Sequence, residues 1–195
     1  MNIKSIVMLS TLLLLSGCVS MMGNTRNKAE SIGTFHDIST AVRDTSPILE
    51  ISKDDFKNIN IDKDASPKII REDRVEYFEI VELTGKENSD FSLTIASLCD
   101  CLGFRKWAVL ADPFMFGPDG SPVEMKKGGT PEAQTLTGSF PKSGAYKLLI
   151  IANTKYLDQQ MGNIHGYWDY SNSASGFTLP LRVHQTGLVQ VAWNK

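Results

Sequence analysis

An all-β fold, an antiparallel β-sandwich of jelly-roll or Ig-like type with one short helix, is what the text of the chain calls for from Ser31 onward. No run keeps a helical apolar period for three turns. Short alternating stretches recur instead, and turn residues bound them. Hydrophobic residues make up 42 % and charged residues 22 % of the chain, a balance that builds and solvates a packed core. About 165 residues follow Glu30, the usual span of one domain, and no repeat or low-complexity tract divides them. A single domain over 31–195 is therefore expected.

Candidate strands run over 34–38, 49–51, 58–61, 74–83, 91–98, 107–111, 134–140, 145–152, 178–184 and 187–193. In 91–98, Phe91, Leu93 and Ile95 alternate with Ser92, Thr94 and Ala96, the period of a half-buried strand. The 74–83 segment is apolar on both sides in its middle, which predicts a central strand covered on two faces. The polar 53–68 region reads as a surface loop around one short strand. In Gly117-Pro118-Asp119-Gly120, proline presets one torsion and glycine permits the next, so a tight turn is expected. The 126–131 and 141–144 stretches read the same way, the latter as a hairpin joining two apolar strands. One short helix is predicted over 154–161, with Asn153 or Thr154 as its cap and Gly162 as its stop.

Ahead of this domain, Lys4 precedes an apolar run from Ile6 to Leu15, and small residues follow at Ser16 and Gly17. That is the layout of a secretory signal. The run is about ten residues long, half of what a bilayer-spanning helix needs. Leu15-Ser16-Gly17-Cys18 resembles the bacterial lipobox, which implies cleavage before Cys18 and lipid on its sulfur. The expected division is a signal peptide over 1–17, a lipidated cysteine with a polar tether over 18–30, and then the domain. Several acyl chains on one residue make a stable anchor. Val19 in place of an aspartate after the cysteine implies, by likeness to sorted lipoproteins, the outer membrane over the inner one, and the periplasmic face is the expected side.

Of three cysteines, Cys99 and Cys101 remain. In a regular strand their Cα atoms would lie about 6.8 Å apart, at the edge of disulfide reach, so a bond between them needs a turn or bulge. A local disulfide and two buried thiols both stay open. A lone C-x-C supplies too few soft ligands for a metal, and His36, His165 and His184 are far apart, so neither a metal nor any cofactor beyond the covalent lipid is expected. The net charge of −2 offers no footprint for nucleic acid. Nucleophile-elbow, zinc-protease, P-loop and dinucleotide motifs are absent, which argues against an enzyme. A hydrolase triad drawn from a serine, His165 and Asp158 is the weakest reading, since triads are recognised by geometry.

The most unusual stretch is 162–176, where His165, Tyr167, Trp168 and Tyr170 lie among Gly, Ser and Asn. Read as a loop, it is either a ligand-binding surface for a glycan or an envelope protein, or a plug in which Trp168 closes the end of the sandwich. The plug has the stronger physical ground, because large aromatics dominate cores.

Asn60-Ile61-Asp62, Ser66-Pro67, Tyr77-Phe78-Glu79-Ile80, the 91–98 strand, Ala108-Val109-Leu110-Ala111-Asp112 and Tyr146 to Thr154 follow one another in an order that resembles the maltose-operon periplasmic protein (MalM-like) family. The resemblance covers 59–162. It departs at Ala111 and Pro113 around the aspartate, at the two extra cysteines, and at the aromatic stretch. It implies a non-catalytic β-sandwich of the cell envelope and carries over no active-site residue.

Overall fold

The computed structural model describes residues 23–26, 33–99, 106–170 and 173–194, with the backbone alone at 164–170 and 173–177. The leader, Cys18 and Cys101 lie outside the described residues.

Two sheets pack face to face. The seven-stranded sheet follows the order β1 (Thr34–Phe35), β4 (Lys68–Arg71), β5 (Arg74–Gly85), β12 (Gly144–Ala152), β8 (Ala111–Phe116) and β9 (Pro122–Val123), with β2 (Leu49–Ile51) alongside β5. The five-stranded sheet runs β10 (Lys126–Gly129), β11 (Ala133–Ser139), β6 (Asp90–Leu98), β15 (Gly187–Trp193) and β3 (Phe56–Ile61). Most pairs are antiparallel, as expected, whereas β1 with β4 and β2 with β5 are parallel. Between the sheets lie Ile59, Ile61, Leu93, Ile95, Val189 and Val191 from one side and Val81, Leu83, Met115, Leu148 and Ile150 from the other. Each fully buried aliphatic side chain contributes about 1.5–3 kcal/mol.

The strand over 74–85 is central, as its two-sided apolar text predicts. Val81 and Leu83 enter the inter-sheet core, while Phe78 and Ile80 enter a second cluster on the sheet's outer face. That cluster is covered by α1 (Ile38–Asp44), through Ala41 and Val42. Asp37 caps the helix, its carboxylate accepting from the backbone N–H of Ser39 at 3.3 Å and of Thr40 at 2.7 Å.

Four expectations are corrected. Strand text at 34–38 ends after Phe35, because the Asp37 cap turns the chain into α1. The helix expected over 154–161 is a turn followed by β13 (Gln160–Tyr170), since Asp158 and Gln159 pair instead with Val183. The 141–144 turn does not close a hairpin. It carries the chain between sheets, because Phe140 is buried against the rings of Phe91, Tyr146 and Trp193, which commits the two flanking strands to different layers. Half of the predicted 126–131 turn is β10, and the reversal falls at Thr130 and Ala133. The Gly117 to Ser121 turn is as expected: Gly120 takes φ +78° and donates to the Gly117 carbonyl at 2.9 Å.

A third sheet joins β13, β14 (Ser173–His184) and β7 (Lys106–Val109). The aromatic stretch read as a loop is therefore mostly strand: His165 stands opposite Thr178, Tyr167 opposite Gly176, Trp168 opposite Ser175 and Tyr170 opposite Ser173.

Candidate functional site

Two carboxylates on β5, Glu76 and Glu79, are fully buried. An ionised carboxylate in the interior is costly unless paired and hydrogen-bonded, so each partner set marks a place where the fold is committed.

Glu79 is met by Arg26, whose Nε and Nη2 donate to Oε2 at 3.2 and 2.9 Å. Arg26 Nη2 also donates to the Ser46 carbonyl at 2.9 Å, and Ser66 Oγ donates to Glu79 Oε1 at 2.7 Å. The arginine side chain is only 5 % exposed. Two residues earlier, Asn24 forms a parallel bridge beside Ile59: its N–H donates to the Asn58 carbonyl at 2.8 Å, and Asn60 N–H donates back to its carbonyl at 3.0 Å. A Cβ on Gly23 would stand 2.9 Å from Asn60 N and 3.0 Å from Ile59 C, closer than real side chains approach, so this contact demands glycine. Residues 23–26, which the sequence places in a polar tether, thus form a clasp that covers the open edge of β3. The physical reason is the buried charge on Glu79, which is stabilised by the Arg26 guanidinium.

Glu76 is held locally. Arg71 Nε donates to its Oε2 at 2.5 Å and Thr154 N–H to its Oε1 at 3.0 Å. Arg71 also reaches Asp112 Oδ2 at 3.2 Å, and Lys127 lies 3.3 Å from Asp112 Oδ1. Both cations sit over the Phe114 ring, at 5.8 and 5.1 Å from its centroid. These carboxylates are taken up by internal partners, an arrangement that ties β4, β5, β8 and β10 together.

Cys99 is disulfide-bonded. Its predicted relation to Cys101 lies outside the described residues. The aromatic residues sit on a ribbon whose base is secured: Val183 N–H donates to the Gln159 carbonyl at 2.9 Å, Asp158 N–H donates to the Val183 carbonyl at 3.0 Å, and Leu181 to His184 pair with β7 in parallel. By strand alternation, positions 168 and 170 fall on one face of the ribbon and 165 and 167 on the other. A loop would give these four residues no such division.

An open cleft of about 870 Å³ runs beside β6 and β11, lined by Lys53, Asp90, Ser92, Lys126, Thr137 and Asn194 among others. Its lining contains no histidine or cysteine. Among the described residues no group of three or more His, Cys, Asp or Glu could hold a metal ion, and no helix is long and apolar enough to cross a membrane.

No family model matches the chain, and no curated protein matches it. Among solved structures, the pre-peptidase C-terminal domain of collagenase from Bacillus anthracis is similar at 8 % identity and a TM-score of 0.37, over 76 % of this chain and 97 % of that one. Likeness at that level assigns neither activity nor ligand.

Proposed function

We propose that this β-sandwich is the presenting domain of a non-catalytic, MalM-like envelope lipoprotein, anchored by lipid on Cys18 and holding a binding or scaffolding surface at the periplasmic face of the outer membrane. The observation that carries the reading is the lipobox-like Leu15-Ser16-Gly17-Cys18 behind a short apolar run, placed five residues ahead of the clasp at Gly23. Between an acylated cysteine and a docked Gly23 the chain has little slack, so the anchor would hold the domain against the membrane. Detergent phase partitioning tests it. The native chain should enter the detergent phase and Cys18→Ser should remain aqueous. Partitioning that is unchanged by the substitution overturns the reading.

The paired ribbon favours a second reading, a glycan-binding module, because the register sets Trp168 and Tyr170 as next-but-one neighbours on a strand face, a spacing suited to stacking on sugar rings. Loss of glycan binding in Trp168→Ala at an unchanged melting temperature supports it. A large fall in melting temperature supports the core plug instead.

A further inference from the structure

We propose that the start of β3, with Phe56 at its tip, is a membrane-contact edge that rests in the lipid headgroup layer. This rests on the lipid-anchor reading and adds an orientation to it.

The argument begins with direction. Asn24 bridges β3 in parallel, donating to the Asn58 carbonyl and accepting from Asn60 N–H, so going back along the chain from residue 24 leads toward the beginning of β3. Reach follows. From Gly23 back to Cys18 the chain spans at most about 18 Å, five residues at full extension. The acyl chains on Cys18 must lie within the bilayer, so the headgroup layer stands within that distance of the clasp, and the direction of Gly23–Asn24 along β3 favours the Phe56 side over the Ile61 side. From Ile59, where Asn24 docks, Phe56 is three residues away, about 10 Å along the strand.

Surface chemistry at this edge agrees. Among the described residues, the exposed large hydrophobics are Phe56, Val75, Tyr156 and Leu157, and Phe56 leads them at 61 % exposure. Its cross-strand neighbours in register are Ala192, then Thr94, then Thr135, all uncharged and half-buried. No charge on that row has to be stripped of water when the edge meets lipid. The adjoining turn carries Lys53, Asp54 and Asp55, with Lys57 paired to Asp55 at 2.7 Å, so the charges balance. Contact therefore depends on burying the aromatic ring at the interface and not on attraction to anionic lipid. The anchor supplies the local concentration that lets so small a contact be occupied. Val75 marks the opposite end of the sandwich: from Val75 to Leu83, which pairs with Ile51 next to the 52–55 turn, β5 covers roughly 27 Å.

The test uses the full lipidated chain in phosphatidylethanolamine–phosphatidylglycerol vesicles, with the photocrosslinker p-benzoylphenylalanine replacing Phe56 in one variant and Val75 in another. Both sites are exposed, so the fold tolerates the change. With the protein in the vesicle fraction, lipid adducts at position 56 should exceed those at 75 by about tenfold, the ratio that burial of one large apolar group supports. The excess should persist in high salt, because the edge carries no net charge. Vesicle-bound protein with equal adducts at both positions, or more at 75, overturns the proposed edge and leaves the anchor standing. Protein whose vesicle binding survives Cys18→Ser, or that does not bind vesicles, overturns the anchor and the edge together.

Discussion

Glu76 and Glu79 lie three residues apart on β5, are equally buried, and face opposite sides of the sheet, yet they are neutralised in different ways. The partner of Glu76, Arg71, comes from the adjoining strand of the same hairpin, and Thr154 N–H adds a second donor. The partner of Glu79 comes from 53 positions away, in a segment with no regular structure of its own. The first pair closes a hairpin. The second fastens the N-terminal segment to the domain, so the same chemistry serves in one place as local bracing and in the other as the fixing point for whatever precedes Gly23.

This contrast predicts graded losses. Arg26→Ala strips the guanidinium from the buried Glu79 carboxylate, to which Ser66 Oγ still donates, and stability should fall by about 3–5 kcal/mol in urea titration. Adding Glu79→Leu to that variant should recover most of the loss, since an apolar pair of similar volume is tolerated where a lone charge is not. Failure of the double variant to recover would mean that the clasp matters for shape more than for charge. Arg71→Ala should cost about 2 kcal/mol, because Glu76 keeps the Thr154 N–H and Arg71 is already partly in water. Equal losses at the two sites would erase the distinction. Gly23→Ala should loosen the clasp by about 1–2 kcal/mol through overpacking against the backbone of Asn60 and Ile59, read as faster proteolysis ahead of residue 26.

The smallest effect belongs to an exposed pair. Hydrogen bonding from Lys142, then from the Ser121 side chain and N–H, holds the Asp119 carboxyl well below the usual carboxylate range. A carboxyl depressed in the folded state stabilises above its unfolded value, about 3.9, and that contribution fades as pH falls through the folded value. Lys142→Met should therefore lower the melting temperature slightly near neutral pH, with the gap to the native protein closing in acid. Full exposure to solvent keeps the gap small.

How much was legible follows from the physics of each segment. The strands over 74–85, 90–98, 144–152 and 187–193 carry strong alternation or continuous apolar text because their burial is decided by the two-sheet core. Helix α1 went unread because seven residues are too few for a period, although Asp37 with Ile38, Ala41 and Val42 holds both a cap and a helical face. The β13–β14 ribbon hides behind Gly, Ser and Asn, whose composition signals a loop while backbone pairing makes a strand. The 141–144 crossing is invisible locally, since a turn sequence does not say whether its flanking strands pair or part. The clasp is hidden: of the three glutamates in the central strand, Glu76, Glu79 and Glu82, the text does not say which are buried, and nothing in the text of residue 26 marks it as a partner.

The central claim is that Cys18 is the acylated first residue of a mature chain clasped to its own domain a few residues later. Intact mass spectrometry of the protein extracted from envelopes, followed by N-terminal peptide mapping, measures this directly. The account predicts a chain that starts at Cys18 and carries the mass of a diacylglyceryl group and an amide-linked fatty acid. A chain that starts elsewhere, or an unmodified Cys18 thiol, would contradict it.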